Sequence, residues 1–269
     1  MKILLTALLA AIVSAAPATA QDWARAKLDN SPRHQEWVTV KYGNRSLSCF
    51  VVYPEVSNRA PAVLMVHEIF GLSDWAMDEA DQIAAAGYIA IAPDLLSGLG
   101  AKGGGTSDFP DRSAVTRAVS GLPPAQVTAD LDAAADYAEK LPSCNGRLLV
   151  AGFCWGGTTT FAYATHRADL KAAFVFYGMA PKEGLSSIPC PVYGFYGGND
   201  ARISATVPDT VSAMKSAGKS YDPVIYTGAG HGFMRAGEDP QTNPANRAAH
   251  DQAWARWAKL MAQVSASSG

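Results

Sequence analysis

The six residues Gly152-Phe153-Cys154-Trp155-Gly156-Gly157 close an apolar run, Leu148–Phe153, and open a helical stretch. A strand that turns sharply into a helix strains its middle residue, and only small neighbours two positions before and after avoid collision. The G-x-nucleophile-x-G pattern therefore lifts one side chain to the tip of a bend, here the thiol of Cys154. The amide of Trp155 falls at the helix N-terminus, where it can donate to a developing oxyanion while the helix dipole favours a thiolate.

A free thiol with a pKa of about 8.5 is only a few per cent ionised at neutral pH, so it needs a base, and the base needs an orienting acid. Asp200 ends the segment Val192–Asp200, and His231 lies in Gly228-Ala229-Gly230-His231-Gly232-Phe233. With Cys154 they sit at the carboxyl ends of apolar runs, where open α/β sheets place their sites. His67-Glu68-Ile69-Phe70-Gly71 ends an earlier run, which makes the Ile69 N–H the second oxyanion donor. No second histidine follows His67-Glu68 at metalloprotease spacing, so neither a metal nor another cofactor is expected. His34, His166 and His250 stand in polar or helical surroundings and are expected at the surface.

Near-continuous apolar runs position these groups: Ala62–His67, Tyr88–Ala92, Leu148–Phe153, Ala172–Tyr177, Val192–Tyr196 and Val224–Tyr226. Such runs suit parallel strands covered on both faces. Trp37–Tyr42 and Leu47–Tyr53 alternate instead and are split by Gly43-Asn44, as in an antiparallel hairpin. Val127, Leu131, Ala134, Ala138 and Leu141 recur at helical spacing after Pro123-Pro124. A second helix ends at Gly218, and a C-terminal one carries Trp254, Trp257, Ala258 and Met261 as a packing stripe. The fold class read from this alternation is α/β, a mostly parallel sheet with helices on both faces and an N-terminal antiparallel hairpin. Ser97–Leu122, with Gly103-Gly104-Gly105 and no strong period, reads as a long loop acting as a lid.

The 269 residues are 48% apolar and 17% charged, a folded globular composition. A net charge of −2 leaves no basic excess for a phosphate backbone, which excludes nucleic acid as the expected partner. Lys2, the apolar run Ile3–Ala16 and Ala18-Thr19-Ala20 form a signal peptide over residues 1–20. The expected mature protein is one domain, 21–269, periplasmic or secreted and free of the membrane. If Cys154 has a chemical task, Cys49, Cys144 and Cys190 can form at most one bridge, and the sequence does not choose the pair.

The chain resembles the dienelactone hydrolases, the cysteine-bearing branch of the α/β-hydrolase fold, from about Ser46 to the C-terminal helix. The resemblance rests on His67-Glu68-Ile69-Phe70-Gly71, Ala92-Pro93-Asp94-Leu95, Gly152–Gly157, Gly198-Asn199-Asp200 and Gly230-His231-Gly232-Phe233. The chain order nucleophile–acid–histidine is also that of the α/β-hydrolases. The resemblance implies that Cys154 is the nucleophile, His231 the base, Asp200 its orienting acid, and Ile69 and Trp155 the oxyanion donors. It implies that Glu68 interacts with the cysteine and helps generate thiolate when substrate binds. It also implies a small ester or lactone substrate whose carboxylate is held by two arginines, one matched by Arg235. The other should fall in the 97–122 segment, where an equal-length alignment lands on Ser113, with Arg112 and Arg117 nearby. Trp155 stands where relatives often carry a smaller apolar residue.

Two other readings use the same residues. A thiol-based redox protein would need a resolving partner for Cys154, and no C-x-x-C exists. A non-catalytic ligand-binding protein on this fold gives no reason for a triad order. Dienelactone hydrolase-like cleavage of esters or lactones through a Cys-His-Asp triad and a thioester accounts for all three residues together.

Overall fold

The computed structural model describes residues 21–266. The expected signal peptide and the last three residues lie outside that range. The strands are β1 (Gln35–Tyr42), β2 (Arg45–Val52), β3 (Ala60–Val66), β4 (Ile89–Pro93), β5 (Cys144–Phe153), β6 (Ala172–Phe176), β7 (Val192–Gly197) and β8 (Tyr221–Tyr226). The helices are α1 (Asp22–Asp29), α2 (Asp74–Ala85), α3 (Arg112–Ser120), α4 (Pro124–Lys140), α5 (Trp155–Tyr163), α6 (Ala201–Ser204), α7 (Val207–Ser216), α8 (Phe233–Glu238) and α9 (Pro244–Ala266).

The strands form one sheet in the order β1-β2-β4-β3-β5-β6-β7-β8. β2 runs antiparallel to both β1 and β4, and the pairs from β4 to β8 are parallel. Alternate side chains of β5 explain why both faces must be covered. Leu149, Ala151 and Phe153 enter a core with Trp75 of α2 and Trp257 of α9, whereas Leu148 and Val150 enter one with Leu131 of α4 and Phe161 of α5. The expected C-terminal stripe docks through Trp257, which is fully buried edge-on to Phe176 at 4.9 Å and to Phe153 at 5.9 Å.

The 97–122 segment departs from the expected structureless loop. It contains α3, begun by Asp111, whose carboxylate accepts from Ala114 N at 2.7 Å, and packed through Val115 and Val119. Its glycine-rich start is anchored too. Asp94 accepts from Thr106 N and Thr106 Oγ1, both at 2.7 Å, and a Cβ on Gly105 would lie 2.0 Å from Asp94 Oδ2. The glycine there serves close packing rather than looseness.

Helices α1 and α2 meet partly through apolar side chains, Ala24 and Leu28 sharing a core with Trp75 and Ala80, and partly through charge. Asp74, Asp78, Glu79 and Asp81 of α2 are all buried. Lys27 lies 3.3 Å from Asp78, and beyond α1 the side chains of Arg33 and Gln35 bond Asp81. His250 also differs from the surface position expected of it. Its side chain is 13% exposed, because α8 packs on α9 and brings Glu238 within 3.7 Å of the ring.

Candidate active site

Cys154 sits between β5 and α5 with φ +58° and ψ −114°, a region that L-residues rarely adopt. The two flanking glycines are what allow it. A Cβ on Gly152 would lie 2.3 Å from Gly156 O, and one on Gly156 would lie 2.3 Å from His67 O. Cys154 N donates to Phe176 O at 3.0 Å, which ties the bend to β6.

β7 and β8 deliver the other two groups from their carboxyl ends. His231 Nε2 is 3.0 Å from Cys154 Sγ, and His231 Nδ1 is 2.5 Å from Asp200 Oδ2. The Asp200 side chain is 6% exposed and the His231 side chain 33%, so the acid is shielded while the ring meets solvent. A carboxylate on Nδ1 fixes the tautomer that leaves Nε2 free to take a proton. The geometry suits general-base activation of a thiol.

Burial and the charge of Glu68 push the Cys154 thiol up to about 11. Hydrogen bonding from the Trp155 and Ile69 amides and the positive charge of Arg202 pull the other way. Both backbone donors expected for an oxyanion thus already act on the sulfur. Their side chains share one small apolar cluster with Val115 and Val119 of α3, so α3 packs over the residues that carry those amides.

Glu68 is buried and doubly held. Its Oε2 accepts from Arg235 Nε at 2.8 Å, and its Oε1 accepts from Tyr177 OH at 3.2 Å. Its action on Cys154 is through charge, while its hydrogen bonds go to Arg235 and Tyr177. Arg235 and Arg112 both place their guanidinium over the ring of Phe70, at 5.1 and 4.8 Å. The structure thereby brings Arg112, from the start of α3, beside Arg235. Arg117 is five residues further along, roughly 140° round the helix, and is exposed.

Sequence reasoning missed Tyr177 and Arg202. Tyr177 is fully buried at the end of β6 with φ +41°, and its ring stands edge-on to His231 at 5.1 Å. A tyrosine closing an apolar run looks like packing; the adjoining Gly178, where a Cβ would come 2.3 Å from Gly157 C, was the available signal of a tight approach. Cys49, Cys144 and Cys190 are buried free thiols, and Cys154 is unbridged.

Residues 47–265 match the Dienelactone hydrolase family. The chain is 35% identical over 201 residues to a Salmonella typhimurium protein named "Putative carboxymethylenebutenolidase", covering 70% of this chain and 73% of that one. It is 29% identical over 215 residues to a Bradyrhizobium protein named "Probable 2-oxo-3-(5-oxofuran-2-ylidene)propanoate lactonase", covering 74% and 83%. A solved structure titled "Putative Dienelactone Hydrolase" from Klebsiella pneumoniae superposes with a TM-score of 0.73 at 28% identity, over 87% of this chain and 99% of that one.

Proposed function

The chain belongs to the dienelactone hydrolase family, and from that premise we propose that it hydrolyses carboxylic esters or lactones bearing a nearby carboxylate, with Cys154 as nucleophile. The observation that carries this reading is the line Asp200–His231–Cys154, with 2.5 Å and 3.0 Å between successive partners. The relatives named as a carboxymethylenebutenolidase and a lactonase support the substrate class.

In the proposed cycle the substrate carboxylate engages Arg235 and Arg112, and its carbonyl oxygen meets the amides of Ile69 and Trp155. Competition for Arg235 weakens that residue's hold on Glu68. A buried carboxylate without its cation becomes more basic, so Glu68 assists His231 in drawing the proton from the thiol. The thiolate attacks the carbonyl carbon, and the two amides stabilise the tetrahedral oxyanion. Collapse breaks the C–O bond, and His231 gives its proton to the departing oxygen. His231 then takes a proton from water, whose oxygen attacks the thioester and releases acid and thiol. Asp200 keeps the imidazolium oriented throughout.

Replacement of the nucleophile tests the reading. Cys154→Ala is expected to abolish both turnover of an activated aryl ester and the stoichiometric acylation seen by mass spectrometry. Retention of wild-type turnover would remove Cys154 from the chemistry.

A further inference from the structure

Gln21 stands at the seam between α1 and α2, and its backbone and side chain are both engaged there. Its N–H donates to Asp74 Oδ2 at 3.3 Å, and its Oε1 accepts from Trp75 N at 2.9 Å. Its carbonyl accepts from Ala24 N at 2.8 Å and from Arg25 N at 3.0 Å, which starts α1. Asp74 is only 6% exposed, and burial pushes its carboxyl up while Arg25, at 3.3 Å, pulls it down. Asp22 and Asp29, also from α1, add negative charge around it. A shielded carboxylate among two other acids and one half-exposed arginine has room for a second cation. Immediately before Gln21 stands Ala18-Thr19-Ala20, the small-residue pattern at which an export leader is cut.

We propose that Gln21 is the amino terminus of the working protein, and that the α-ammonium freed there forms an ion pair with the buried Asp74 carboxylate, so that removal of the leader completes the seating of α1 on α2. The chemistry is a hydrolysis by a leader peptidase. The Ala20–Gln21 amide bond breaks, water adds its hydroxyl to the Ala20 carbonyl carbon, and the Gln21 nitrogen takes one proton from that water and another from solvent. A neutral amide donor at 3.3 Å thereby becomes a cation facing the same oxygen. The dipole of α1 opposes a cation at this end, and Asp74 is the group that offsets it.

The consequence reaches beyond the terminus. α1 carries Lys27, which pairs with Asp78 and with Glu238, the last residue of α8. α8 also carries Arg235, so the seam ties the processed end to the helix that holds Glu68. None of this depends on the hydrolytic reading of Cys154.

The test uses the full chain, exported and purified, with intact mass, amine labelling and thermal unfolding across pH. The expected product starts at Gln21 with a free amine whose pKa is raised above the usual value of about 7.7–8.0. An amine raised in the folded state stabilises fully below its unfolded pKa, and that stability disappears as pH rises through the folded value. A protein with one glycine placed before Gln21 is expected to melt about 2–4 °C lower below pH 7 and to lack that pH step. Asp74→Asn should erase the difference. Equal melting of the processed and extended proteins, a start at another residue, or loss of the mass of ammonia through cyclisation of Gln21 would each overturn the proposal. Should Asp74→Asn fail to fold, the glycine comparison, which leaves Asp74 in place, still decides it.

Discussion

The carboxylate of Glu68 accepts a hydrogen bond at 2.8 Å from Nε of Arg235, four residues beyond His231 in the chain. One pair thus joins the end of β3 to α8 and sets a paired carboxylate whose charge acts on the sulfur. The charge of Glu68, paired with Arg235, helps to hold Cys154 as a thiol. In the proposed cycle an anionic substrate competes with Glu68 for Arg235.

Arg235→Ala should therefore discriminate by substrate charge. A charge-assisted hydrogen bond contributes about 1.5–3 kcal/mol, which corresponds to a loss of roughly 10–150-fold in kcat/KM on a carboxylate-bearing ester. A neutral aryl ester should change much less. Paired kinetics on the two substrates check this, and an equal loss on both would assign Arg235 to holding Glu68 alone.

The two α3 arginines are expected to behave differently. Arg112 and Arg235 both lie over the ring of Phe70, whereas Arg117, exposed as Arg112 is, projects from another side of the helix. Arg112→Ala should raise KM for anionic esters by about tenfold, the weight of roughly 1.4 kcal/mol, and Arg117→Ala should leave it unchanged. A matching effect from Arg117→Ala would place the second cation elsewhere.

The pH dependence of thiol reactivity has a definite sign. Burial and Glu68 push Cys154 up to about 11, so the free enzyme should be alkylated slowly at pH 7 and ever faster up to that value. Glu68→Gln removes the opposing charge and should move the inflection downward. Iodoacetamide kinetics between pH 6 and 11 read both, and an inflection near pH 6 in the unliganded enzyme would contradict the geometry. The same shift bears on stability. A thiol with a raised folded pKa stabilises below the unfolded value of about 8.5, and this is lost as pH rises toward 11.

Gly156→Ala tests the bend. The new methyl would lie 2.3 Å from His67 O and 2.4 Å from Val66 O, both backbone atoms that cannot rotate away. Overpacking of this kind costs about 1–3 kcal/mol, enough to lower Tm by several degrees in a domain of this size. Calorimetry and esterase assay together should record a lower Tm and a large loss of activity; an unchanged Tm would mean that the β5–α5 junction yields easily.

Much of this site was legible in the chain because its requirements are local. Only small residues fit two positions either side of Cys154, and the order Cys154, Asp200, His231 follows the carboxyl ends of β5, β7 and β8. The apolar runs announced their strands because burial on both faces demands continuous apolarity. The ionic part of the seam between α1 and α2 was not legible, since Asp74 and Asp78 find their partners Arg25 and Lys27 far back in the chain. Asp94 holding the 97–122 segment in place was equally hidden, because its carboxylate meets Thr106 twelve residues later.

The sequence by itself determined that a thiol on a tight turn would have an acid and an imidazole at the carboxyl ends of two later strands. Tertiary structure alone decided the electrostatics around that thiol: Glu68 tied to Arg235 and Tyr177, Arg112 rather than Arg117 beside Phe70, and His250 folded against Glu238. The physical reason is range. Backbone strain and strand polarity act over a few residues, whereas charge and desolvation depend on which side chains the packed helices bring within a few ångströms of one another.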